Sequence, residues 1–135
     1  MPDKLSFKKT FLALERAISI AQQRHSLISS NISNLDTSNY KPKDIDFKTA
    51  MARALESDHE INLVRTNPRH IGLGTNSANS IEPFEEKGEW NGYNWVDIDK
   101  EMTRLAENNL RYRMATEILL RKIAILKEVI KEGGR

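Results

Sequence analysis

The chain has 135 residues, 39% hydrophobic and 30% charged, which is the length of one domain and the polar balance of long-helix proteins. Its 21 basic side chains are nearly matched by 19 acidic ones, and the formal charge of +2 leaves no electrostatic footprint for nucleic acid. With no cysteine, disulfides and thiolate metal sites are excluded.

Residues 1–11 (MPDKLSFKKTF) lack the apolar core of a secretory signal. No apolar run approaches the ~20 residues of a membrane span, so direct membrane insertion is not expected and export would need another route. From Phe7 the apolar positions alternate by four and three through Phe11, Leu14, Ile18, Ala21, His25, Ile28, Ile32 and Leu35. That seven-residue repeat is the pattern of a coiled-coil seam and predicts a helix over residues 6–36. It runs without a break into SNISNLDTSNYK (residues 30–41), which is turn chemistry.

Residues 37–96 form the middle of what we read as a single unit, 1–135. Asp46 is placed to cap a short helix with Phe47, Ala50, Met51, Ala54 and Leu55 on its apolar face. Residues 61–64 and 93–96 have the composition of short strands, and 76–80 (NSANS) that of a solvated loop.

A second heptad helix is predicted over residues 97–131, with a seam of Ile98, Met102, Leu105, Asn109, Tyr112, Thr116, Leu119, Ile123, Leu126 and Ile130. Asp97, Asp99 and Glu101 suit its N-terminus; Lys127 and Lys131 precede the stop Gly133-Gly134. Each long helix spans roughly 45–50 Å at about 1.5 Å per residue. From Met114 the apolar surface widens to Ala115, Ile118, Leu120, Ala124, Ile125 and Val129. One antiparallel partner does not cover that circumference. The helix is either buried in a small bundle or in contact with several neighbours in an assembly. The fold class is therefore mainly α: two long heptad helices pairing as a coiled coil, and a small irregular middle containing β-structure.

Catalytic signals are missing. His25, His59 and His70 show no metal-ligand spacing, and Asp44 and Asp46 suit capping and solvation better than acid–base work. No nucleophile elbow, phosphate loop or HExxH occurs. Trp90, Tyr93 and Trp95 have no basic patch around them for stacking on bases. Neither enzyme activity nor a cofactor or metal is expected.

The run SNISNLDTSNYK resembles the signature ANIANADTPGYK of the rod and hook proteins of the bacterial flagellum. Pro42-Lys-Asp-Ile-Asp-Phe47 resembles the KARDIDF of its proximal rod members, and residues 96–112 and the Arg24-His25 pair are similar to them too. In the middle only Thr66 and His70 resemble the family. A neighbouring proximal rod protein of nearly equal length is the alternative within the class, disfavoured by DIDF and LAENNLRY; a small helical adaptor or nucleic-acid binder is the alternative outside it.

The resemblance implies a structural subunit of the basal body's helical tube, carrying torque from the membrane ring to the distal rod and hook. Its implied partners are itself, other rod proteins, proteins of the ring–rod junction and the flagellar type III export apparatus. Such subunits leave the cell uncleaved and unfolded, and their termini are disordered as monomers and pair on assembly. The expected assembly seam is Phe11, Leu14, Ile18, Ile28, Ile32, Leu35, Leu105, Asn109, Tyr112, Leu119, Ile123 and Leu126. The signature turn comprises Asn31, Asn34, Asp36, Thr37, Asn39, Tyr40, Asp44, Asp46 and Phe47, with Asn31 and Asn34 able to bond neighbouring subunits. Phe7 and Phe11 look like the element by which early subunits engage the export gate. Where the family has Pro-Gly, this chain has Ser38-Asn39; Asn is the best non-glycine residue for positive φ, so the turn is expected to persist.

Overall fold

The computed structural model of the protein describes residues 3–56 and 81–134. The strand expected at 61–64, the loop 76–80, and His59, Thr66 and His70 lie outside them. The order is α1 (Asp3–Ser33), β1 (Lys43–Asp44), α2 (Phe47–Glu56), β2 (Phe84–Glu85) and α3 (Ile98–Gly133). The fold is mainly helical, with a two-stranded ribbon in the middle.

α1 and α3 pack antiparallel along their length. Asn31 meets Glu101, Ala21 meets Asn108, and Lys122 lies over the ring of Phe7, so α3 climbs as α1 descends. α2 packs on α1, and the small apolar core sits there: Ile20, Ile45, Ala50 and Ala54, flanked by Leu27, Phe47, Met51 and Ile81. Asp46 caps α2 through its carboxylate, accepting from Lys48 N and the Thr49 hydroxyl. Leu55, expected on the buried face, is exposed. Arg111 stacks over Phe47 at 4.9 Å and ties α3 to α2.

Asp97 caps α3, its side chain accepting from the amides of Asp99 and Lys100. Residues 93–96 do not form the expected strand. An Asn91–Asn94 turn replaces it, and β1 pairs instead with Phe84–Glu85, with Lys43 opposite Glu85 and Asp44 opposite Phe84. The reason is side-chain chemistry. Asn91 Oδ1 accepts from the amides of Tyr93 and Asn94, a local bond that competes with a ladder.

Candidate assembly interface

The corner after α1 is built from amides and hydroxyls. α1 stops at Ser33, so Leu35 lies beyond the helix. A helix end leaves four carbonyls unpaired. Here Asn34 Nδ2 donates to Ser30 O (2.8 Å), Ser33 Oγ to Ser29 O (2.8 Å), and the Asn34 and Leu35 amides to Ser30 O and Ile32 O. Thr37 Oγ1 donates to Asn34 Oδ1, and the exposed Asp36 flanks them. Asn39 has φ +57°, the left-handed conformation that the Pro-Gly position requires. Its amide donates to Tyr93 O, and Trp95 N donates to Tyr40 O, so the turn is stitched to the chain entering α3.

Two buried asparagines complete the corner. Asn31 is fully buried: Nδ2 donates to Lys43 O (2.8 Å) and Glu101 Oε2 (2.9 Å), while Oδ1 accepts from Lys43 N and the Tyr40 hydroxyl. Every hydrogen-bonding capacity of the amide is thus filled within the chain, which leaves none for a neighbouring subunit. Asn94, also fully buried, donates to Leu35 O and Thr37 O and accepts from Val96 N.

Beside them runs a polar clasp. Arg24 grips Asp44 bidentately, Nε to Oδ1 at 2.7 Å and Nη2 to Oδ2 at 2.8 Å, and Asp44 also accepts from Ile45 N. Arg104 bonds Glu86 and Glu101 and lies 3.7 Å from Asp44; Lys100 also reaches Glu86. Three cations face three carboxylates across α1, the ribbon and α3. The Arg104 hydrogen bonds, and after them Lys100, hold the Glu86 carboxyl down at about 2 against the opposing effect of burial. The Asp44 carboxylate raises Arg24, and the Thr49 hydroxyl lowers Asp46.

The face that α3 turns to α1 differs by one position from the expected seam. Glu101, Asn108 and Ala115 are buried and Lys122 half-buried; of the anticipated Met102, Asn109, Thr116 and Ile123, only Thr116 is half-buried and the other three are exposed. Adjacent helix positions differ by about 100°, so polar partners suffice to rotate the seam. Glu101 is drawn in by Asn31 and Arg104, and Asn108 donates to Ala21 O at 2.8 Å. Leu105 and Leu119 are half-buried; Tyr112, Ile123 and Leu126 are exposed. On α1, Phe7, Phe11, Leu14, Ile18 and Ile32 are half-buried and Ile28 fully buried, whereas His25 is exposed and Arg24 takes the inward place. His25, Asn109 and Tyr112 instead line a groove of about 390 Å³ beside Asn108. Phe7 and Phe11 stack on each other, centroids 6.3 Å apart.

Away from this contact the second half of α3 carries a broad exposed apolar surface. Met114, Ile118, Leu120, Ile123, Ile125, Leu126, Val129 and Ile130 are all exposed, Ile130 to 72%. Among the described residues no group of His, Cys, Asp and Glu is placed to hold a metal. No described helix is long and apolar enough to cross a membrane.

The helix pair is thus closed at one end by the corner and carries exposed apolar surface towards the other. Residues 11–41 match the family of flagella basal body rod proteins. The chain is 33% identical over 129 residues to the flagellar basal body rod protein FlgB of Bacillus subtilis, covering 94% of this chain and 97% of that one. It is 31% identical to FlgB of Escherichia coli (99% and 100% covered) and 26% identical to FlgB of Borreliella burgdorferi (93% and 98%). The chain belongs to the FlgB family of flagellar basal body rod proteins, a structural and non-enzymatic family.

Proposed function

We propose that this chain is the structural subunit of the proximal rod, polymerising with itself and other rod proteins into a helical tube. The tube carries torque from the membrane ring to the distal rod and hook. The observation that supports this best is the exposed apolar surface on the second half of α3, which a soluble monomer does not leave uncovered over several turns. The clasped corner gives each subunit a fixed shape to present to that assembly. Proteins of the ring–rod junction and the flagellar type III export apparatus are the remaining partners in this reading. Phe7 and Phe11 serve as the export element before they pack against α3, and the end of α3 becomes ordered when neighbours cover it.

The test is deletion of the gene and electron microscopy of isolated basal bodies. The expected result is rings without a rod and cells without filaments, reversed by the intact chain. Complete rods in the deleted cells overturn the proposal.

A further inference from the structure

The exposed part of α3 is not one apolar surface but two, and they differ in charge. At about 100° per residue, α3 presents three faces roughly 120° apart. One is the face on α1, through Asn108, Ala115 and Lys122. The second carries Met114, Ile118 and Ile125 beside Glu117, Glu128 and Glu132; Arg121 lies in it too and leaves it net acidic. The third carries Leu120, Ile123 and Ile130 beside Arg113, Lys127 and Lys131. All thirteen of these stripe residues are exposed. Among the described residues none of the seven stripe charges makes an ion pair, although α3 uses Glu107 with Arg111 and Glu101 with Arg104 nearer its start.

We propose that α3 of one copy packs its acidic stripe against the basic stripe of α3 in the next copy. This rests on the rod reading above and names the surface through which it acts. The argument is complementarity: each stripe sets apolar residues beside a run of charge, the charge is of opposite sign in the two, and they lie on different sides of one helix. A helix whose sticky faces are different and point apart cannot satisfy itself in a closed two-fold pair. It makes a heterologous contact, which propagates into a ring or an open helix. Like stripes meeting would set three carboxylates against three, so charge also selects the direction of addition.

The test uses two full-length variants in cells lacking the native copy. The first is Glu117→Lys/Glu128→Lys/Glu132→Lys, basic on both stripes; the second is Arg113→Glu/Lys127→Glu/Lys131→Glu, acidic on both. Equal helix content of the purified variants by circular dichroism checks that folding is kept. Either variant alone is expected to lower rod-bearing basal bodies at least about tenfold; together they restore rods containing both chains, detected by immunoblot. Rods built by one variant alone overturn the proposal, as does failure of the pair to recover rods. Both outcomes leave the rod reading standing, because that reading is overturned only by rods in cells that make no copy of this chain.

Discussion

Removing Asp44 isolates the clasp energetically. Its carboxylate accepts two hydrogen bonds from Arg24 at 2.7 and 2.8 Å and one from Ile45 N at 2.7 Å, with side-chain exposures of 10% for Arg24 and 6% for Asp44. Asp44→Ala leaves Arg24 buried without its partner. It also leaves Arg104, 3.7 Å away, with one anion fewer. Breaking a buried pair from one side costs about 3–5 kcal/mol, because the orphaned charge keeps its desolvation penalty. Replacing both sides together, as Arg24→Met/Asp44→Leu, removes the penalty with the charge and is expected to cost less than about 2 kcal/mol. Urea unfolding followed at 222 nm gives the cost of Asp44→Ala and, with Arg24→Met and Asp44→Leu measured singly, closes the double-mutant cycle. The reasoning is refuted if Asp44→Ala costs under about 1 kcal/mol, or if the double variant loses as much as the single changes added together.

Three further outcomes follow from the geometry. Asn39, at φ +57°, is expected to accept Gly within a few tenths of a kcal/mol, whereas Asn39→Val loses about 1–2 kcal/mol to left-handed strain; thermal melts of the two decide it. Glu86 binds its proton more weakly folded than unfolded, so its contribution is complete above about pH 4.5 and lost as pH falls toward about 2. With solvent reaching the pair, that contribution is about 1–2 kcal/mol, and the acid-limb stability of Glu86→Gln measured against the parent should lack it. In the free subunit, backbone amides around Ile125 to Ile130 are expected to exchange at least tenfold faster than those around Asn108, since the former have little packed on them; equal protection at low concentration contradicts assembly-coupled ordering.

The helices and their caps were legible because periodicity and capping are local. Asp97 and Asp46 are read from the residues that follow them, and the left-handed Asn39 from its place in a turn. The inward face of α3 was not. A heptad search counts apolar residues, and Met102 and Ile123 score where Glu101 and Lys122 do not. Burial of Glu101 is favourable only because Asn31, 70 residues away, and Arg104 satisfy it. No local signal carries that information. The same holds for Asn94, whose bonds to Leu35 O and Thr37 O cross the chain. One clue was present: a polar residue recurring at the heptad spacing of 101 and 108 inside an otherwise apolar pattern.

The four bonds of Asn31 also bear on how the subunit carries force. Apolar side chains slide over one another at small cost, because the dispersion attraction given up on one side is regained on the next. A directional bond does not slide. Asn31 fastens α1 to the β1 backbone on both its donor and acceptor sides, and to α3 through Glu101. A fully satisfied polar network of this kind rigidifies what it joins. Pulling or twisting applied along α1 therefore reaches the ribbon and α3 through a cross-braced joint, not a lubricated one, and the corner moves as a solid elbow.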